Sequence, residues 1–175
     1  MTLRRSTHYE NYPLSTPLIA YLQAIAIYVI GTIILAGLGI WWAIFYIGYC
    51  IFIEMSILLR SCVHCFYYGK VCAFGRGRIC AIFFKGGDQQ KFAEREIRWY
   101  HLLPDFLVVI FPAVGGVLLL LLNFSWLILI LTIVQLLVFF IGTAIIRGKL
   151  ACNHCMQGKS GCPAAKALFK DKEKK

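Results

Sequence analysis

Residues 102–122, LLPDFLVVIFPAVGGVLLLLL, and residues 124–146, FSWLILILTIVQLLVFFIGTAII, are separated by Asn123 alone. Each is as long as the roughly 20 residues that a helix needs to cross about 30 Å of hydrocarbon. Lipid offers no water to a peptide group, so every N–H and C=O must pair within the segment. Both stretches are therefore predicted to be helices. Two more blocks of the same kind lie upstream, over 17–38 and 40–59. The four blocks carry few polar interruptions: Gln23, Glu54, Asp105 and Gln135.

The composition agrees with this reading. Hydrophobic residues make up 60% of the chain and the mean hydropathy is +0.74. A soluble domain of this composition would expose large apolar patches and aggregate. The first block starts late, is too long for the apolar core of a signal peptide and lacks a small-residue cleavage site, so it is expected to be retained.

The basic residues set the expected orientation. Arg4 and Arg5 precede the first block, eight Lys and Arg lie within 60–98, and eight more within 147–175. The two short turns between the paired blocks contain none. Basic residues close to helix ends stay on the cytoplasmic side. The expectation is a multi-pass protein of the cell membrane, with both termini and the central loop cytoplasmic.

The chain also repeats itself. Cys62-Val63-His64-Cys65, followed after six residues by Cys72, returns as Cys152-Asn153-His154-Cys155, followed after six residues by Cys162. All four Cys and His positions recur at one offset, each copy directly after a pair of apolar blocks. Each copy holds an even number of spans, so the two hairpins are expected to run parallel, related by an axis along the membrane normal. The expected fold is an all-α integral membrane protein with four transmembrane helices as two parallel hairpin repeats. The first repeat covers 1–80 and the second 102–168. Between them, 81–101 forms a cytoplasmic loop with an interfacial helix beginning near Asp88, where Trp99 and Tyr100 suit a membrane surface. Residues 169–175 form a charged tail.

The cysteines carry the chemistry. Thiols on the cytoplasmic side are kept reduced, which disfavours disulfides. A C-x-x-C pair there points to metal or redox chemistry, because the tight turn aims two sulfurs at one ion about 2.3 Å away. Three ligand sets remain open. Each copy forms its own site, from Cys62, His64, Cys65 and Cys72 and from Cys152, His154, Cys155 and Cys162. Alternatively, the two C-x-x-C pairs share one four-thiolate site. In the third set the cysteines hold iron–sulfur clusters, for which Cys162-Pro163 is suggestive and the six-residue gap is not. Zinc is the favoured metal and an iron–sulfur cluster the alternative. The C-x-x-C pairs also suit dithiol exchange, although the third cysteine of each motif then has no role. Cys50 reads as a small buried hydrophobe. Cys80 is a further thiolate available to the first copy, with no equivalent in the second.

Other positions are weaker. Glu54, an acid inside a span, suits either a carboxyl reaching to the interface or a proton or metal relay. Gln23 and Gln135 suit interhelical hydrogen bonds. Gly75-Arg76-Gly77-Arg78 suits a basic loop or a seat for anionic lipid headgroups. No nucleophile elbow, zincin motif or dinucleotide fingerprint occurs, so no catalytic residue is nominated. The expected partners are the lipid bilayer and a membrane protein or a second copy of the chain; no nucleic acid is expected. The leading functional expectation is metal binding with a structural or assembly role. Electron transfer to a quinone and metal or proton transport through Glu54 are the alternatives.

Overall fold

A computed structural model describes residues 8–88, 92 and 99–159. Among these the chain is helical, with one isolated bridge between Tyr9 and Cys155. In chain order the helices are α1 (Ser15–Ala36), α2 (Ile40–Arg60), α3 (Arg76–Phe83), α4 (Trp99–Leu122), α5 (Trp126–Ile145) and α6 (Met156–Lys159). Four of them, α1, α2, α4 and α5, are long and apolar enough to cross a membrane. The protein is thus a multi-pass membrane protein by length and composition. The interfacial helix expected after Asp88 falls mostly on residues outside those described, as do Cys162 and the charged tail.

The four spans match their expected positions to within a few residues, and the differences have local causes. Helix α1 begins at Ser15 and takes in Pro17. The first-turn N–H groups of a helix have no intrahelical partner, so a proline there costs nothing. Helix α5 begins at Trp126 because Ser125 occupies the capping position, its carbonyl accepting from the Leu129 N–H at 3.1 Å. At its far end α5 widens into a π-helical stretch, Ile146–Ala151, before the second cysteine motif.

The chain divides into two compact units, each drawing on both halves of the sequence. One is formed from Leu22–Ser56 and Arg98–Ala144. Its fully buried side chains include Ile34, Leu35, Tyr46, Pro112 and Gln135. Its outward faces carry exposed Phe45, Phe52, Leu121, Leu127 and Phe140. A rim of that chemistry requires an apolar surrounding.

Polar groups stitch this unit together. Pro112 sits inside α4 and has no N–H to offer the carbonyl of Val108 one turn back. Tyr46, from α2, supplies the missing donor, its hydroxyl bonding the Val108 carbonyl oxygen at 2.8 Å. Gly31 makes room, since a Cβ there would meet the Tyr46 hydroxyl oxygen at 2.6 Å and the Pro112 ring at 2.9 Å. Tyr46→Phe keeps the ring and leaves a buried carbonyl unbonded. We expect it to lower unfolding stability in lipid or detergent by about 1–3 kcal/mol; an unchanged unfolding midpoint would show that the proline gap needs no donor.

Gln23 bridges α1 to α5 through bonds to the Val138 carbonyl at 3.1 Å and the Thr143 hydroxyl at 3.3 Å. Gln135 does not follow suit. It is 1% exposed, and neither amide atom has a partner among the described residues. Glu54 is half-buried and accepts a bond of 2.5 Å from the Tyr28 hydroxyl of α1. Its carboxylate is tied to another helix, a partner no local sequence pattern announces.

Candidate metal centre

The second unit gathers the described parts of Met1–Tyr21, Ile57–Ile97 and Ile145–Lys175, and so contains both cysteine motifs. Over their C-x-x-C stretches the two motifs adopt the same backbone shape. Cys62–His64 and Cys152–His154 are each a 3-10 turn. Each ends on an extended cysteine, Cys65 (φ −86°, ψ 148°) and Cys155 (φ −81°, ψ 121°). In each, that cysteine's N–H bonds back to the first cysteine's carbonyl, at 3.3 Å for Cys65 and 3.5 Å for Cys155. None of the seven described cysteines is in a disulfide.

The motifs also clasp one another. The Phe66 N–H donates to Gln157 Oε1 at 2.7 Å. The Met156 N–H donates to the Tyr67 hydroxyl at 3.0 Å. Phe66 and Met156 are the residues directly after the two C-x-x-C pairs, and Tyr67 and Gln157 the next ones. The two bonds are therefore one bond made twice, with the copies exchanging roles.

An N-terminal strap lies across both motifs. The Tyr9 N–H bonds the His154 carbonyl at 3.1 Å, and the Tyr12 N–H bonds the Val71 carbonyl at 3.0 Å. Asn11 Oδ1 accepts from the Val71 N–H at 3.1 Å. The Tyr12 hydroxyl donates to the Ala151 carbonyl at 2.7 Å, and the Tyr67 hydroxyl to the Tyr9 carbonyl at 2.6 Å. Tyr12, Tyr67, Ala73 and Ala151 are buried at the centre, with Cys65, Cys72 and Cys155 packed against them.

Burial pushes the phenols of both Tyr12 and Tyr67 above their ordinary value of 10.0; for Tyr12 the Cys155 thiol adds to the effect. A phenol whose pKa is raised by folding keeps its proton where the unfolded chain has lost it. Its contribution is complete below pH 10.0 and is lost as pH rises further. We expect the cysteine-rich unit to open above pH 10, with tyrosinate absorbance and thiol labelling of Cys65 and Cys72 rising together. Phenols that all titrate near pH 10 while the thiols stay protected would contradict this.

Around the first motif, the thiols of Cys65, Cys72 and Cys80 and the Arg76 guanidinium lie within electrostatic reach of Cys62. Among the described residues, however, no group of three or more His, Cys, Asp or Glu is arranged to hold a metal ion. His64 faces away into the following loop, with Nδ1 3.1 Å from the Asp88 carbonyl oxygen. The Val63 carbonyl accepts from the Gly87 N–H in the same place. His154 stacks against Tyr9, ring centroids 5.1 Å apart. Of the residues nominated from sequence, Cys62, Cys65, Cys72, Cys152 and Cys155 share one unit, both histidines are engaged by neighbouring backbone or rings, and Cys162 lies outside the described residues.

Sequence reasoning did not single out Tyr12, Tyr67 or Gln157. The signal for the last two was present, because comparison of the copies two residues beyond each C-x-x-C pair places Tyr67 opposite Gln157. Comparison with known protein families, with characterised proteins and with solved structures finds no match to this chain.

Proposed function

We propose that this is a cell-membrane protein of two parallel hairpin repeats, whose cysteine-rich unit faces the cytoplasm and binds a thiophilic metal, zinc being favoured. Its role is structural: a metal-stabilised platform at the membrane face for assembly with a membrane partner. The observation that carries the reading is the pair of 3-10 knuckles with matched backbone, each presenting a C-x-x-C pair that is not in a disulfide. Knuckles of this spacing suit tetrahedral sulfur sites. The orientation rests on the distribution of Lys and Arg.

The residues that would hold metal are Cys62, Cys65 and Cys72 in the first motif and Cys152 and Cys155 in the second, with Cys162 as its third cysteine. Bound metal would tie the knuckle to the segment that follows it; the chain's own part is to keep the thiols reduced, close and shielded. Binding requires the thiols to rearrange, since among the described residues no three of them are arranged to hold an ion as they stand.

The test is elemental analysis of anaerobically purified protein, with an absorption spectrum of the same sample. The expected result is colourless protein with about one or two zinc per chain, falling in Cys62→Ser and Cys152→Ser. Iron with sulfide and a brown colour would replace this reading with electron transfer. Metal-free protein, or metal unchanged in both variants, would end the ligand assignment.

A further inference from the structure

We propose that Cys80 is the fourth ligand of the first motif, so that Cys62, Cys65, Cys72 and Cys80 form an all-thiolate site for a tetrahedral divalent cation, and that the second motif has no equivalent. This rests on the metal-binding reading above and makes it specific.

The placement of α3 carries the inference. The helix packs on the Cys62–His64 turn. Its Gly77 lies directly against the Tyr67 carbonyl, and a Cβ there would be 2.5 Å from the Lys70 carbonyl oxygen. The Gly69 N–H bonds the Gly77 carbonyl at 3.1 Å, which pins the start of α3 to the turn after the first knuckle. Cys72 sits at the base of the same helix, its carbonyl accepting from the Gly75 N–H at 3.0 Å.

Cys80 is on the buried side of α3 and is 0% exposed. Its Sγ lies 3.6 Å from the Leu58 carbonyl oxygen. Leu58 is one helical turn before Cys62, on the same face of the segment that enters the knuckle. The Cys80 thiol is thus delivered beside Cys62 by an element independent of the knuckle. Burial raises the Cys80 thiol above its ordinary value, with the Cys72 thiol adding to the effect. On binding, Cys80 exchanges its proton and its bond to Leu58 for the cation, as metal-bound thiols do. Four thiolates around a dication leave a net charge of −2, and Arg76 stands within electrostatic reach of Cys62 to balance it.

His64 is the competing donor. Its Nδ1 faces the Asp88 carbonyl, which leaves Nε2 as the only ring nitrogen able to bind metal. The second copy cannot build the thiolate version, because the position corresponding to Cys80 holds Lys170. The two motifs are therefore unequal, the first closed by four sulfurs and the second limited to three cysteines and His154.

The experiment uses the full chain carrying Cys152→Ser and Cys155→Ser, loaded with zinc, so that the metal reports on the first motif. X-ray absorption is expected to show four sulfurs at about 2.3 Å and no nitrogen. Three sulfurs and one nitrogen would overturn the proposal. Within that background, Cys80→Ser is expected to weaken zinc retention against a chelator by at least about 100-fold, more than the loss of a group that only hydrogen-bonds a ligand. His64→Ala is expected to leave it unchanged, and the reverse pattern would overturn the assignment. Loss of all zinc in the parent Cys152→Ser/Cys155→Ser chain would mean a shared site and would also overturn it. Wild-type chain that takes up no zinc removes the metal reading itself, and zinc bound without Cys80 removes this inference alone.

Discussion

Gly77→Val is expected to detach α3 and open the cysteine-rich unit while the four long helices stay formed. A side chain at residue 77 would occupy the space of the Tyr67 carbonyl and press on that of Lys70. Both obstacles are backbone, so neither can swing aside as a long side chain would. Valine also branches at Cβ, which leaves no rotamer that avoids the turn. The bond from the Gly69 N–H to the Gly77 carbonyl then has to break, and Cys80 leaves the Leu58 carbonyl. The cost should be about 3 kcal/mol or more, the upper end for overpacking, because relaxation would have to move main chain. Alkylation of Cys80 gives the readout. The thiol is fully buried in the wild type and should become labelled in the variant, with helical circular dichroism largely retained. Labelling as slow as wild type would mean that the turn can yield.

Under the proposed metal-binding reading, chelation is the second change with a large expected effect. Among the described residues, the hydrophobic cluster of the cysteine-rich unit has four buried members, Tyr12, Tyr67, Ala73 and Ala151, two of them alanine, with Phe66, Val71, Phe74 and Met156 only partly buried against it. A cluster of this size buries little apolar surface with which to hold several short segments together. Structural zinc contributes on the order of 10–16 kcal/mol in small zinc-dependent folds, and that binding energy is folding energy. Chelation is therefore expected to collapse hydrogen-exchange protection over 62–88 and 145–159. Amides inside α1, α2, α4 and α5, which bond within their own helices, should keep theirs. Equal protection with and without chelator would show that hydrogen bonds from the N-terminal strap suffice and that metal has no structural part.

The spans were legible because lipid imposes a simple requirement, a long apolar run with internally paired backbone. Their ends were less so. The start of α1 at Ser15 depends on the tolerance of a first turn for Pro17, and that of α5 on Ser125 as a cap. The recurrence of the cysteine spacing was legible from sequence alone, and the two C-x-x-C turns have like backbones. The surroundings were not. Gly75-Arg76-Gly77-Arg78 reads as a basic loop, yet from Arg76 it is helix. Two glycines make a poor helix start by propensity, and it is tertiary contact with the Tyr67–Lys70 turn that favours it. The strap from Tyr9 to Tyr12 carries no motif; its backbone bonds to Val71 and His154 are long-range pairings that periodicity does not encode. Gln23 and Gln135 look alike in sequence, and only packing separates the one that bridges two helices from the one that is buried unbonded.

The exchanged bonds between Phe66 and Gln157 and between Met156 and Tyr67 follow the rule of a two-fold contact. When identical subunits meet across a two-fold axis, each contact of residue i with residue j returns as j with i. The chain makes that contact with itself, and only the acceptor differs, a phenol on one side and an amide on the other. Either acceptor placed at both positions would serve both N–H groups. Because both motifs lie on one chain, the two halves can differ, as they do at Cys80 and Lys170, an asymmetry that two copies of one sequence cannot have.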